Sequence, residues 1–172
     1  MDKRKKNALL NGFINHGVNF ESLFYKATIM KEQVSHFFDE YAGRFNDGIT
    51  SGKPDIEAIK KCFADYFVES SPVGVMGGQN DESFEEKIPQ GYKYYSKIGI
   101  TAMNIISKDI KVIDEFHAMA TIQWSSAYHK ENGDKGLIGF EVTYFVNTKE
   151  GIKIFAYITG DEQAALKEHG LI

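Results

Sequence analysis

The fold prediction rests on the run FVESSPVG, Phe67–Gly74. The run is rich in Val, Phe and Ser and closes with Pro72 and Gly74, so it predicts a strand that ends in a bulge or a bend. Two helical patterns precede it, and the glycine-rich run MGGQND, Met76–Asp81, follows it and predicts a loop. The strand therefore joins a helical first part of the chain to the elements beyond the loop.

Three helices are predicted around this strand. From Lys31, apolar residues recur at three- and four-residue steps, which is typical of a helix with one buried stripe, here Val34, Phe37, Phe38, Tyr41 and Phe45. The Asn-Asp-Gly run at 46–48 predicts its end, and Pro54 with the acids that follow it predicts a second helix. A third helix is predicted from near Pro89 to about Ile98, because an earlier start would place the proline inside the helix.

After Gly99 the pattern changes to long runs of β-branched and aromatic residues, separated by short turn signals. These runs predict the strands Ile100–Val112, Phe116–His129, Gly136–Val146 and Ile152–Thr159. Short connections predict an antiparallel meander, and Asp161 is predicted to cap a last helix, Glu162–Glu168. Helices first and a long sheet afterwards indicate the α+β class: a curved antiparallel sheet packed against three N-terminal helices.

The length of 172 residues favours one domain, which we predict to span residues 30–172. Residues 1–29 lack a sustained period and are predicted to be an N-terminal extension, with its packing on the domain left open. The chain contains 13 Phe and 9 Tyr, and such a share of aromatic residues suits either large core rings or the lining of a cavity.

Charge and hydropathy limit the classes of partner. Beyond the basic run Lys3–Lys6, residues 7–172 hold 16 basic and 23 acidic residues, and this net charge of −7 argues against a nucleic-acid partner. No run is long enough to span a membrane. Residues 3–18 have the basic start of a signal peptide, but Asn and Gly interrupt the apolar part and no small-x-small cleavage site follows. We therefore expect a cytoplasmic protein.

The chain offers little for a metal or a nucleophile. Cys62 is the single cysteine and falls in a helical pattern, and the five histidines show no ligand spacing, so we predict no metal and no cofactor. The glycines around Met76 lack the Gly-Lys-Ser or Gly-Lys-Thr of a phosphate loop. Ser70 and Ser71 lack a nucleophile-elbow motif.

The order of elements resembles the nuclear transport factor 2-like superfamily over about residues 31–165. The resemblance is carried by Tyr41 in the first helix, by VESSPVG, and by NTKEGIKIFAYITG at Asn147–Gly160. It is greatest for the ketosteroid isomerases and the SnoaL-like polyketide cyclases, and it implies a cone-shaped curved sheet closed by helices around an apolar pocket. It also implies a homodimer. It does not imply one activity, since the superfold hosts isomerases, cyclases, dehydratases, hydrolases and binding proteins.

The resemblance transfers only in part to residues of this chain. The isomerases carry a catalytic Asp directly before Pro-Val-Gly, where this chain has Ser71. Their oxyanion-hole Tyr matches Tyr41, whereas their second Asp falls on Val142, with Glu141 one residue away. A serine hydroxyl is not a base near neutral pH, and losing a general base costs about 10² to 10⁴ in rate.

Glu69 lies two residues before Ser71, so strand alternation places both on the same face. Our first hypothesis is a pocket protein that binds a hydrophobic, oxygen-bearing small molecule and performs proton transfer, dehydration or cyclisation. Its candidate catalytic residues are Glu69 and Tyr41, and its candidate ligand-binding residues are Tyr41, Phe45, Ser71, Trp124, Val142 and Tyr144. The structural alternatives are a solvated Glu69 and core packing for the aromatic residues.

The second hypothesis is a non-catalytic domain for dimerisation or for holding a ligand. It follows from the loss of the first acid and from strands that are apolar on both faces. Whether the chain is an enzyme at all stays open at this point.

Overall fold

The computed structural model describes residues 20–172, which form four helices and six strands. The helices are α1 (Phe20–Ser51), α2 (Ile56–Lys60), α3 (Glu82–Lys97) and α4 (Glu162–Glu168). The strands are β1 (Phe63–Ser71), β2 (Gly74–Gln79), β3 (Ile100–Val112), β4 (His117–His129), β5 (Lys135–Asn147) and β6 (Lys153–Thr159). The α+β class is confirmed, and β3 to β6 and α4 lie within one residue of their predicted bounds.

The six strands form one open sheet in the order β2-β1-β6-β5-β4-β3. The meander of β3, β4, β5 and β6 is antiparallel, as predicted. The prediction of a wholly antiparallel sheet is wrong at one place, because β1 pairs with β6 in parallel. The crossover through α3 carries the chain from one edge of the sheet to the other, and the returning meander then ends beside β1. Local sequence patterns predict pairing between strands that follow each other in the chain, so they do not reveal the pairing of β1 with β6.

The glycine-rich run after Pro72 is a strand and not a loop, so that prediction is wrong. Gly74–Gln79 pairs antiparallel with β1 from Tyr66 opposite Gln79 to Ser71 opposite Gly74. A side chain at Gly78 would place its Cβ 3.1 Å from the ring of Phe67. The glycine therefore lets this buried ring pack closely against β2.

Helix α3 begins earlier than predicted and contains Pro89. The carboxylate of Asp81 accepts hydrogen bonds from the backbone N–H groups of Ser83, at 3.0 Å, and Phe84, at 3.4 Å, and so caps the first turn. Phe84 packs against the core and Ile88 is buried. Proline removes one helical hydrogen bond, but these apolar contacts favour the helix on both sides of it.

Helix α1 continues through the predicted stop at 46–48 and ends at Ser51. The amide of Asn46 donates to the carbonyl of Met103 at 3.0 Å and accepts from its N–H at 2.7 Å, so this residue attaches α1 to β3 and does not end the helix. A Cβ at Gly48 would lie 2.4 Å from the ring of Tyr92. The glycine thus permits the close approach of α1 and α3.

The main core lies between α1 and the inner face of the sheet. Val34 and Phe38 of α1 have no exposed surface, and the inner face of β4 is equally buried, with Ala118, Ala120, Ile122 and Trp124. The ring of Phe38 lies 4.8 Å from that of Tyr144 on β5. These contacts cover the part of the sheet formed by β3, β4 and β5 and leave its β1 and β6 end free for a cavity.

The first turns of α1 extend beyond this core. Leu23, Phe24 and Tyr25 are 52%, 72% and 69% exposed. Of the predicted extension, residues 1–19 lie outside the described part of the chain, and residues 20–29 belong to α1. Among residues 20–172, none of the helices has the length and apolarity that a membrane span requires.

Candidate functional site

A cavity of about 1490 Å³ opens between the inner face of the sheet and the helices α1, α3 and α4. Its volume exceeds the roughly 300–1000 Å³ of a typical ligand pocket, because one side is open to solvent. Eleven aromatic residues line it, and six of them are tyrosines: Tyr41, Tyr66, Tyr92, Tyr95, Tyr144 and Tyr157. A wall of this kind suits an apolar ligand and offers phenol groups that fix its orientation.

Glu69 and Tyr157 form the first polar pair of the cavity. They lie opposite each other on the parallel strands β1 and β6, and the hydroxyl of Tyr157 donates to Glu69 Oε2 at 2.8 Å. Burial, and then this hydrogen bond, raise the pKa of Tyr157, so its phenol stays protonated. The other oxygen of Glu69 makes no hydrogen bond to a described residue and is free to accept one from a ligand.

Tyr95 and Glu162 form the second pair and connect α3 to the start of α4. The hydroxyl of Tyr95 donates to Glu162 Oε1 at 2.8 Å. The pKa of Glu162 is raised above its usual value, chiefly because the carboxyl group is partly withdrawn from water. The hydrogen bond from Tyr95 acts against this rise, whereas the negative charge of Glu69 adds to it.

The deep end of the cavity is formed by α1 and the middle of the sheet. The ring of Tyr41 lies 6.4 Å from that of Tyr144 and 6.5 Å from that of Trp124. Burial holds the pKa of Tyr41 well above its usual range and also raises that of Tyr144, so both phenols stay protonated. The indole N–H of Trp124 acts against this rise in the pKa of Tyr144. The deep end therefore offers hydrogen-bond donors.

The structure brings five of the sequence-predicted residues to this cavity: Tyr41, Phe45, Glu69, Val142 and Tyr144. Two predicted residues do not line it. Ser71 pairs with Gly74 at the turn between β1 and β2, and Trp124 is 1% exposed and lies behind Tyr41. The position of the second isomerase Asp is occupied by buried Val142, whereas Glu141 is exposed and bonds to Gln123 of β4.

Glu69 and Tyr41, the predicted catalytic pair, make no hydrogen bond to each other. Glu69 is instead held by Tyr157, and the ring of Tyr41 packs against those of Phe37 and Phe63. Both side chains line the same cavity. Any joint action of the two must therefore pass through a ligand that lies between them.

Sequence reasoning missed three polar residues of the cavity: Tyr95, Tyr157 and Glu162. Tyr157 lies within the Asn147–Gly160 hairpin, where regular alternation would place it on the same face as Phe155. A register shift between β5 and β6 instead places the two rings on opposite faces, and the sequence does not reveal it. Tyr95 sits in a helix whose start was misplaced, so its face could not be assigned. Glu162 was recognised only as the first residue of a capped helix, and no local pattern relates it to α3.

Within residues 20–172, no group of three or more His, Cys, Asp or Glu side chains is arranged to hold a metal ion. His117 lies on the outer face of the sheet, where it contacts Asp114 at 2.8 Å and Asn147 at 3.0 Å. Cys62 is buried and lies 3.3 Å from a guanidinium nitrogen of Arg44. Neither residue reaches the cavity.

Comparison with known proteins gives one family. Residues 31–162 match the family model described as NTF2-like protein (DUF6841). A comparison with curated proteins gave no significant match.

Solved structures share the fold at low sequence identity. An NTF2-like protein with a cystatin-like fold from Novosphingobium aromaticivorans is 12% identical, with a TM-score of 0.62 over 88% of this chain and 97% of the other. A proposed scytalone dehydratase from the same organism is 12% identical, with a TM-score of 0.60 and coverages of 79% and 86%. The association domain of C. elegans CaMKII is 11% identical, with a TM-score of 0.56 and coverages of 77% and 96%.

Proposed function

The chain belongs to the NTF2-like protein family, and on that premise we propose that it binds a hydrophobic, oxygen-bearing small molecule in the cavity between the sheet and α1, α3 and α4. The observation that carries the proposal is the cavity itself, about 1490 Å³ in volume and lined largely by aromatic residues. A cavity filled by its own side chains would have argued for a purely structural domain.

The donors at the deep end support a position for the ligand oxygen. Tyr41 makes no hydrogen bond to a described residue and stays protonated, so its hydroxyl donates to the ligand. Phe45, Val142 and Tyr144 contact the apolar body of the ligand. Trp124 contributes from behind by packing on Tyr41, at 6.5 Å between ring centroids. Ser71 has no part in this arrangement, because it lies outside the cavity lining.

Glu69 is the proposed proton acceptor. It replaces the acid missing at Ser71, it lines the cavity, and Tyr157 fixes the orientation of its carboxylate. A carboxylate facing a bound carbonyl compound removes a proton from the carbon beside the carbonyl, while Tyr41 stabilises the negative charge that develops on the oxygen. Proton transfer of this kind is the common step of isomerisation, cyclisation and dehydration, and a proposed scytalone dehydratase is among the structures that share the fold.

The test uses 1-tetralone, an apolar ketone with exchangeable α-hydrogens. We expect the wild-type protein to bind it and to accelerate its deuterium exchange in D₂O, as followed by NMR. Glu69→Gln keeps the size and the hydrogen bond from Tyr157 but removes the base, so exchange is expected to fall by about 10² to 10⁴ with binding retained. Glu86→Gln, at an exposed position of α3 outside the lining, is the control.

The catalytic role of Glu69 and the proposed ligand class are contradicted by different results. Exchange that is unchanged in Glu69→Gln would remove Glu69 from the proposed catalytic role and leave a binding protein. Absence of 1-tetralone binding by the wild-type protein, up to the solubility limit of the ketone, would contradict the proposed ligand class.

A second candidate function is association of two copies through the outer face of the sheet. It is favoured by exposed apolar residues on that face, of which Val68, Val75 and Ile158 are 41%, 72% and 49% exposed. An association domain is also among the structures that share the fold. The two functions are compatible, because the side chains of Glu69 and Tyr157 face the cavity and alternate along their strands with those of Val68 and Ile158.

A further inference from the structure

The two polar pairs of the cavity have an unbalanced charge. Glu69 and Glu162 both line the cavity, and the negative charge of Glu69 contributes to the raised pKa of Glu162. Among the described residues, neither makes an ion pair with a basic side chain. Their hydrogen bonds come from the neutral phenols of Tyr157 and Tyr95, which hold the carboxylates in place without neutralising them.

The other charged residues of the lining do not correct this imbalance. Asp81 and Asp161 cap α3 and α4 through their carboxylates, and Glu141 bonds to Gln123 of the neighbouring strand. Lys87 is the one basic side chain among the described lining residues, and it makes no ion pair with either glutamate. Within the described chain, no basic side chain therefore neutralises Glu69 or Glu162, and a ligand cation could pair with them.

Aromatic rings surround the two carboxylates. Tyr157 and Tyr95 are bonded to them, and Tyr144 lies 6.1 Å from Tyr157 between ring centroids. The faces of such rings attract cations, and the attraction increases where water is excluded. Carboxylates combined with aromatic faces form an environment in which a substituted ammonium ion is stabilised and an anion is repelled.

The deep end of the cavity offers hydrogen-bond donors, whereas the carboxylates of Glu69 and Glu162 offer acceptors. Tyr144 is 7% exposed and lines the cavity, and its phenol stays protonated. Tyr41 also lines the cavity and stays protonated, and neither phenol donates a hydrogen bond to a described residue. Donors without partners at the deep end call for an acceptor on the ligand, such as a carbonyl or ether oxygen. Carboxylates nearer the opening call for a donor that carries positive charge.

We propose that the ligand is an amine: an apolar, oxygen-bearing molecule whose ammonium group lies between Glu69 and Glu162 and whose oxygen faces Tyr41 and Tyr144. This inference rests on the proposed function, since it specifies the ligand of the same cavity. It also assigns Glu162 and Tyr95 to binding, roles that the sequence did not indicate.

The test compares three tetralin derivatives of nearly equal size. At pH 7, 2-aminotetralin is a cation, 2-tetralol is neutral and tetralin-2-carboxylate is an anion. Calorimetric titration of the wild-type protein should give binding of the amine about tenfold tighter than of the alcohol, and weaker binding still of the carboxylate. Raising the salt concentration should weaken the binding of the amine alone.

Variants of the two glutamates test whether their charges cause the preference for the amine. Glu69→Gln with Glu162→Gln should remove the preference for the amine while leaving the affinity for 2-tetralol within about twofold of wild type. Glu86→Gln, outside the lining, should leave all three affinities unchanged. Circular dichroism establishes that the variants are folded, and the ligand comparison on the wild-type protein does not depend on them.

Failure of this inference differs from failure of the proposed function. If 2-tetralol and 2-aminotetralin bind equally well, the cation inference is overturned and the apolar cavity stands. If the double variant keeps the preference for the amine, the two glutamates are not its cause and the inference is overturned as well. If none of the three compounds binds, both proposals fail.

Discussion

At the scale of single residues, the carboxyl group of Glu162 combines partial loss of solvent, a hydrogen bond from Tyr95 and a nearby negative charge, while the residue as a whole is exposed. Its pKa is raised above its usual value, with Tyr95 of α3 and Glu69 of β1 facing it from the neighbouring elements. A raised pKa means that the folded protein holds this proton more tightly than the unfolded chain does. The resulting contribution to stability is present below the unfolded-state pKa, about 4.3, and is lost as the pH rises through the higher folded-state pKa.

This linkage gives a prediction for Glu162→Gln. Glutamine still accepts the hydrogen bond from Tyr95 but does not ionise, so the variant escapes the cost of a partly buried charge. We expect its free energy of unfolding, relative to that of the wild type, to increase from pH 4 to pH 7. Urea unfolding curves for both proteins across this range measure the effect.

Glu168→Gln is the matched control, because Glu168 lies in the same helix but outside the cavity lining. Its difference from the wild type should depend much less on pH than that of Glu162→Gln. A Glu162→Gln difference that stays constant, or that decreases toward pH 7, would show that the carboxyl group at 162 is fully solvated.

At the scale of secondary-structure elements, α1 divides into a packed part and an exposed part. Phe38 has no exposed surface and contacts Tyr144 across the core, whereas Phe24, on the first turns, is 72% exposed. We expect Phe38→Ala to lower the free energy of unfolding by about 3–5 kcal/mol, since it opens a cavity against the sheet. Phe24→Ala should change it by less than about 0.5 kcal/mol.

The two alanine variants share a helix and remove the same ring, so burial is the main difference between them. Chemical unfolding followed by circular dichroism gives both values. A comparable loss for Phe24→Ala would mean that the first turns of α1 are covered in solution, and the prediction that residues 1–29 are an extension to the domain would then be wrong.

How far the sequence predicts an element depends on where its determinants lie. Strands β3 to β6 could be predicted because alternation and turn residues are local. The start of helix α3 could not be predicted, because Pro89 disfavours a helix in the local sequence. The Asp81 cap and the burial of Ile88 stabilise the helix on the N-terminal side of the proline. Strand β2 was not predicted, because its glycines were interpreted as loop residues. Gly78 instead makes room for the ring of Phe67 on the neighbouring strand.

The same distinction explains the candidate site. Strand alternation and family resemblance predicted Glu69 and Tyr41, and both line the cavity. The hydroxyl of Tyr157 and the pair of Tyr95 with Glu162 depend on the parallel register of β1 with β6 and on where α3 meets α4. Such relations arise only in three dimensions, and no spacing along the chain encodes them.

At the scale of the whole molecule, the helices of the described chain gather on one side of the sheet and leave the outer face open. The strand register aligns apolar residues across this face in a continuous row: Met119, Phe145, Ala156 and Val68. Ile158 and Val75 lie beside that row through their pairing with Ser70. An apolar face of this extent is typical of a surface that another protein copy covers.

We therefore predict that the protein is a dimer through this outer face. Val68→Arg combined with Ile158→Arg places two charges in the centre of the face, where burying them unpaired would oppose association. Sedimentation velocity should show a dimer for the wild type and a monomer for the double variant, with unchanged circular dichroism.

Ile113→Arg, an equally drastic change at a 57% exposed position in the turn between β3 and β4, should leave the dimer intact. A wild-type monomer, or a double variant that remains dimeric, would contradict this use of the face.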